Sequence, residues 1–492
     1  VRRFLPVAAI ALPLLLAACA SVGPDYRIPG RAVASGSIVR GEFAGAAVAP
    51  VSLEDLPGAW WRLFDEPTLD SLVTEAIAAN ADLRVAEARL LQARMGLVVT
   101  QATAAPRGGV SAEAARTRLS AESYLLSEPL PVMNIANAGV SVSYEVDLFG
   151  RLRRAIEAAQ ADADVAEAGR DLVRIAVAGE VVRAYVQACA AGHELLAAEA
   201  SIEVQAQSLD AVARLATRGR ASTVDLLRAQ VLVDQSRAAL PVFESRRQAA
   251  LYRLATLAGR PPTDFPAQVA TCHALPNPSR PIPVGNGAAL LRRRPDVRQA
   301  ERALAAATAR IGVATAALYP TISLGLGAGS TGLLADLGSA TSNRWNLGPL
   351  ISWTFPTGGE RARLHAAGAG ADAALARFDG SVLDAVKEVE TALSVYRHDL
   401  ERRERLRVAR DAAAESHAQI RRLFDAGRSA YLAALDAERT LDGLESLVAA
   451  ADSQVADDQV ALFLALGGGW EAEDAAIPGR LASTPARTSR SP

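Results

Sequence analysis

The sequence predicts a mixed fold: long α-helices joined to membrane-facing β-strands, in two tandem copies of one unit. Three observations predict it. First, the chain repeats itself. Ala81-Asp82-Leu83-Arg84-Val85-Ala86-Glu87 returns as Pro295-Asp296-Val297-Arg298-Gln299-Ala300-Glu301, at offset 214. Tyr144…Gly150 matches Trp353…Gly359, and Arg214…Gly219…Ala229 matches Arg422…Gly427…Ala437. Second, Gly150–Gly219 and Gly359–Gly427 contain no proline and no strong helix stop. At 1.5 Å per residue each makes a helix of roughly 100 Å. Third, four short stretches alternate apolar and small or polar residues with a period of two.

Composition excludes several classes. The chain has 492 residues, 50% hydrophobic and 22% charged, which rules out a disordered protein. A net charge of −2 offers nucleic acid no basic surface. Five histidines and three cysteines leave little material for a metal cluster, and Lys387 is the sole lysine. No nucleophile, base or metal constellation points to an enzyme.

Arg2 and Arg3 precede an apolar run, Phe4 to Leu16, too short to span a bilayer. Leu16-Ala17-Ala18-Cys19 then reads as a lipobox. Residues 1–18 are expected to be a lipoprotein signal peptide, with Cys19 acylated and Ala20 favouring the outer membrane. This covalent lipid is the one cofactor expected. No later stretch holds ~18 consecutive apolar residues, so strands must make any membrane crossing. Residues 19–67 are expected to form an N-terminal anchor segment.

The first repeat, 68–258, reads helix, two strands, very long helix, turn, helix. Its first helix is predicted over Thr68–Ala105, stopped by Pro106. The strands are Gly109–Arg118 and a run in which Val140, Val142, Tyr144, Val146 and Leu148 face one way. In the long helix Leu172, Ile175, Val182, Val186, Cys189 and Leu196 fall on a 3.5-residue grid, the spacing of a coiled-coil seam. A helix returns over Thr223–Leu257. A proline-rich linker, 259–287, leads to the second repeat, 288–466. There Ile322, Leu324, Leu326 and Ala328 share one strand face, as do Trp345, Leu347, Ile351, Trp353 and Phe355. A helix returns over Tyr431–Leu466, and the tail 467–492 has a disordered composition.

Four strands leave two open edges, which a membrane does not tolerate. Two copies would supply eight strands and three would supply 12, and only the wider barrel encloses a usable channel.

Three motifs admit a second reading. Gly327-Ala328-Gly329-Ser330-Thr331-Gly332 fits GxGxxG after a strand, but no helical periodicity follows it. Cys189 and His193 have a helical metal-ligand spacing, yet both sit on the coiled-coil grid. Cys189 and Cys272 could pair in an oxidising compartment, and the sequence leaves that open.

The chain resembles the TolC-type outer-membrane factors, in their OprM/NodT-like lipoprotein branch. Cys19 with Gly23-Pro24-Asp25-Tyr26 carries the resemblance, with Leu63-Phe64-Asp65-Glu66-Pro67 and Tyr144-Glu145-Val146-Asp147-Leu148-Phe149-Gly150. Arg292-Arg293-Arg294-Pro295-Asp296-Val297-Arg298-Gln299-Ala300-Glu301 and Leu466-Gly467-Gly468-Gly469-Trp470 complete it. The resemblance implies a homotrimer, with a transmembrane 12-stranded β-barrel (four strands per chain) on a long α-helical coiled-coil barrel, and an equatorial segment within residues 19–67. It implies a lipid-anchored outer-membrane exit duct of a tripartite efflux system. Its partners would be a periplasmic adaptor, an inner-membrane transporter and outer-membrane lipid. A type I protein secretion duct and a non-conducting coiled-coil spacer are the alternatives. The periplasmic gate carries over onto Leu432 as an apolar constriction and Asp436 as an acidic ring, with Asp225 helping to hold the tip shut. Ser429, Phe424 and Ala433 stand where some relatives place a locking arginine, tyrosine and aspartate, while Arg428 lies next door.

Overall fold

The computed structural model describes residues 21–47, 49–355 and 358–468. The lipobox, Cys19 and nearly all of the tail lie outside them. The chain forms two compact units. The first holds the residues up to Ser35, Glu87–Ala168 and Asp296–Ser381. The second holds Gly36–Ala86, Gly169–Pro295 and the chain from Val382 onward.

In chain order the main elements are α1 Pro67–Ala79, α2 Ala81–Thr103, β1 Arg107–Thr117, β2 Met133–Val146 and α3 Arg151–Thr217. Then come α4 Thr223–Arg237, α5 Leu240–Leu257, α6 Pro295–Ala316, β3 Thr321–Leu333 and β4 Asn343–Ser352. The 68-residue α7 Gly358–Asp425 and α8 Tyr431–Ala465 close the series.

Two predicted helices are broken. The single helix expected over Thr68–Ala105 is α1 and α2, because Asn80 is extended at ψ 134°. Its side-chain oxygen accepts from the amides of Asp82 (2.9 Å) and Leu83 (3.2 Å), capping a fresh helix start. The return helix expected over Thr223–Leu257 stops at Arg237 and restarts at Leu240. Pro241 lacks an N–H, and its ring would meet the carbonyl four residues back. The linker, expected as loop, contains a short helix, Ala267–Ala270, and a two-residue strand, Ile282–Pro283, parallel to Val51–Ser52.

In the first unit the four strands form one antiparallel sheet in the order β1-β2-β3-β4. They run 10 to 14 residues, enough to cross a bilayer when tilted. GxGxxG lies inside β3, which continues to Leu333, so no helix opens at that turn and the dinucleotide fingerprint fails.

The start of α3 explains two of the motifs. Asp147 accepts from the amides of Leu152 (3.1 Å) and Arg153 (2.9 Å), satisfying donors the helix itself leaves open. Ser21 packs so closely on Gly150 that a Cβ there would meet it at 2.3 Å. The buried Arg154 guanidinium binds the carbonyls of Val22 (3.2 Å) and Gly23 (3.3 Å) and the Asp25 carboxylate (2.6 Å). Tyr26 donates to Glu301 at 3.2 Å, joining the first motif to the longest one. The chain just after Cys19 is thereby fastened where strands give way to helices.

The second unit is helical. Trp60 is fully buried, stacked on Phe463 at 4.6 Å, with its indole N–H on the Gly468 carbonyl at 3.2 Å. Val181, Val182, Val186 and Cys189 of α3 are also fully buried there, whereas Leu172 and Leu196 at the ends of the expected grid are exposed.

Cys189 is disulfide-bonded to Cys272, which ties the linker to α3. Gly192, one turn along, leaves room for the Cys272 carbonyl. The bond removes Cys189 from any metal pair with His193. It closes a loop of 83 residues, worth about 4.5 kcal/mol on chain-entropy grounds. The double variant Cys189→Ala/Cys272→Ala should unfold at lower denaturant than the oxidised parent. Coincident unfolding curves would show that the bond contributes nothing.

Candidate functional site

The register gives the sheet two chemically distinct faces. Val110 pairs with Val140, Val142 with Leu326, Tyr144 with Leu324, Leu326 with Leu347 and Ala328 with Trp345. Directly paired residues share a face, so the apolar positions of all four strands fall together. They are exposed: Val110 by 83%, Trp345 by 79% and Ile351 by 65%. Such a broad exposed apolar surface marks contact with a membrane or a partner. The opposite face carries mainly Ser111, Glu113, Asn137, Ser141, Ser143, Glu145, glycines 325, 327 and 329, Thr331 and Arg344, with Leu350 near the helix-side end and Ile135 and Leu333 at the other. A face of small and charged side chains belongs in water.

The helix-side end of the apolar face is rimmed by aromatics. Phe149 stacks on Tyr319 at 4.6 Å, and Trp353 packs on Phe355 at 4.7 Å. Trp353 also donates its indole N–H to the Leu318 carbonyl at 3.2 Å. Trp353 and Phe355, expected inside the fourth strand, lie just past its end at Ser352. Aromatic rings with one polar handle favour the membrane–water border. Among the described residues no helix is long and apolar enough to cross a membrane.

The second candidate region is the pair of helix turns in the second unit. Gly219 (φ +68°) and Gly427 (φ +70°) adopt the left-handed conformation that ends a helix. The Arg220 amide reaches back to Leu215 at 2.9 Å and the Arg428 amide to Leu423 at 2.8 Å, closing both last turns. Ser222 and Asp225 then form a reciprocal capping box at the start of α4. The carboxylate of Asp225 is held in that box by the Ser222 amide (3.2 Å) and hydroxyl (2.7 Å). α8 has no side-chain cap.

Leu432 and Asp436 share one face of α8 and line a groove of about 410 Å³ against Val224, Leu227 and Val231 of α4. Leu432 is 53% exposed at this tip. The structure thus brings Leu432 and Asp436 together, while Asp225 organises the neighbouring turn. Phe424 packs on Tyr431 at 5.7 Å. Among the described residues Arg428 has no carboxylate within ion-pair distance.

Sequence reasoning missed a polar seam behind this face. Ser201, Gln205 and Ser208 of α3 meet Glu438 and Asp442 of α8. Ser208 donates to Glu438 at 3.0 Å, Gln205 donates to Ser201 at 3.2 Å, and Ser201 donates to Asp442. Glu438 is only 5% exposed, and burial pushes its carboxyl above the usual range. The seam's signal was polar residues at helical spacing on both helices, which reads equally well as a solvated face.

Comparison with known proteins fits this geometry. The model of the outer membrane efflux protein family matches residues 72–260 and 288–468. Nodulation protein T of Rhizobium leguminosarum bv. viciae is 31% identical over 484 residues, covering 97% of this chain and 96% of that protein. The pyoverdine export outer membrane protein OpmQ of Pseudomonas putida is 31% identical over 426 residues, 84% of this chain and 88% of that protein. The solved outer-membrane channel OprN superposes with a TM-score of 0.85 at 34% identity, over 92% of this chain and all of that one. An apolar-faced sheet joined to long paired helices is what such a channel requires, and the chain belongs to the outer membrane efflux protein family, as an outer-membrane efflux duct.

Proposed function

We propose that three copies join β4 of one chain to β1 of the next, closing a 12-stranded barrel that turns its small, polar face to a water-filled lumen. The observation that carries this reading is the four-strand register, which gathers the rows of Val110, Val140, Val142, Leu324, Leu326, Leu347 and Trp345 on one face while leaving both sheet edges unpaired. The two tandem repeats each supply one strand pair and one long helix pair. The duct passively conducts solutes delivered by an inner-membrane transporter through a periplasmic adaptor. Names such as pyoverdine export protein and toluene efflux pump outer membrane protein among relatives support small-molecule cargo over secreted proteins. Leu432 and Asp436 form the periplasmic gate. Planar-bilayer recording on the purified protein tests the reading. Discrete, long-lived conductance steps support a duct, and a silent protein that inserts normally would identify a structural spacer.

The same reading assigns the anchor. Ser21, two residues after Cys19, is fastened beside Gly150 at the aromatic rim. Acyl chains on Cys19 would there enter the periplasmic leaflet next to the barrel. A single acyl chain binds membranes weakly, but a lipoprotein carries several and the barrel adds its own insertion. Mass spectrometry of the mature protein should find a triacylated N-terminal Cys19, and Cys19→Ser should lose that mass while retaining some assembly. An unmodified Cys19 in the wild-type protein removes the anchor.

A further inference from the structure

From the side-chain geometry at the outer end of the sheet we infer that Arg344 is an anion-recognition element at the mouth of the duct, selective for solutes bearing carboxylate or phosphate groups. This inference rests on the barrel reading above.

Arg344 is the second residue of β4, at the end of the sheet farthest from the helices. Its pairing with Gly329 puts it on the polar face, so outer-leaflet lipid on the opposite face is not its ligand. Its Nε–H donates to the Thr331 hydroxyl at 2.8 Å and its Nη2 to the Asn137 side-chain oxygen at 2.9 Å. Thr331 in turn donates to the same Asn137 oxygen at 2.9 Å. Three strands thereby fix one guanidinium through neutral partners only. Among the described residues no carboxylate lies within ion-pair distance of it. Two of its five N–H groups are spent, leaving three donors and a full positive charge facing water.

The turn just before it is also fixed. Ser330 and Ser342 are 2.7 Å apart, Ser330 accepts from the Gly338 amide at 2.8 Å, and Ser342 donates to the Asp336 carbonyl at 2.9 Å. A charge held this way loses little freedom when it binds, and the unspent fork matches a carboxylate or phosphate edge. Glu113 is an acidic side chain on the same face. It sits on β1 opposite Asn137, three strand spacings or about 14 Å from β4 within one chain, while in the closed barrel the adjoining copy's β1 stands one spacing, about 5 Å, from β4. In the closed barrel three Arg344 side chains would ring the exit.

The test is bilayer recording with citrate as the anionic probe, added on the side of the extracellular loops. The parent should be blocked by citrate from that side. Arg344→Gln should need at least about tenfold more citrate for half-block, and its chloride-to-potassium permeability ratio should fall at least about twofold in 0.1 M KCl. The permeability difference should fade at 1 M KCl, where the Debye length shortens from about 10 to 3 Å. Asn137→Asp, which sets a carboxylate against the guanidinium without removing it, should reproduce both losses. If the parent conducts and citrate block is unchanged in both variants, the inference is wrong. Capture of the guanidinium by a carboxylate of an adjoining copy would give that result. A parent that forms no pores overturns the barrel reading and this inference with it.

Discussion

Val142→Arg is expected to lower the yield of membrane-inserted assembly at least tenfold, while Ser141→Arg and Ser143→Arg leave most of it intact. The apolar band runs along β2 from Val146, level with Ile322 and Ile351, to Ala136. Ten residue steps at about 3.3 Å, tilted as barrel strands are, cover roughly 25 Å of hydrocarbon. Val142 sits near the middle of that band, paired with Gly108 on one side and Leu326 on the other. An arginine facing lipid at that depth costs about 2–4 kcal/mol per chain. Three copies triple it to about 6–12 kcal/mol for one barrel. Ser141 and Ser143 point to the other face, where an arginine stays hydrated. The measurement is the amount of heat-modifiable oligomer in outer-membrane fractions. Equal losses for neighbouring positions would mean that the two faces have been exchanged.

The second large effect is expected at the helix tips. Leu432→Ala should raise single-channel conductance several-fold, and Asp436→Ala should lower cation selectivity. Leu432 is half exposed beside the α4 groove, so copies around an axis can pack these side chains together. Three Asp436 carboxylates brought near the axis repel by about 1 kcal/mol per pair at 4 Å in water. In the proposed gate the apolar contacts hold the tip against its own acidic ring. On that proposal, removing the leucine takes away the closing force, and removing the aspartate takes away the cation-attracting field. Bilayer recordings of both variants beside the parent decide the matter. If both conduct like the parent, the gate lies elsewhere along the helices.

Much of this architecture was legible in the sequence because its periodicities are long and clean. The long runs without proline could hardly be anything but helices, and α3 (67 residues) and α7 (68 residues) begin and end within two residues of the flanking glycines. Alternation at Val140, Val142 and Tyr144 gave the strand face directly, since a period of two leaves only one register with an apolar side. The breaks at Asn80 and Ala238–Ala239 were harder to see. Asn80 acts through a local cap, and helical periodicity continues across it. The pairing of Cys189 with Cys272 depends on how the linker folds back, which spacing does not reveal. The buried seam of Ser208 and Glu438 was hidden for another reason: polar residues at helical spacing look alike whether they face water or each other. Arg344 was equally opaque, because one of its two partners, Asn137 of β2, lies 207 residues away in sequence.

The copy number of the assembled protein tests the central claim most directly. Native mass spectrometry of the full-length protein, extracted from outer membranes in mild detergent, should show one dominant species of three chains. Three four-stranded sheets then close one barrel with no open edge. A dominant dimer, giving eight strands and no usable lumen, or a stable monomer with both sheet edges exposed, would contradict the account.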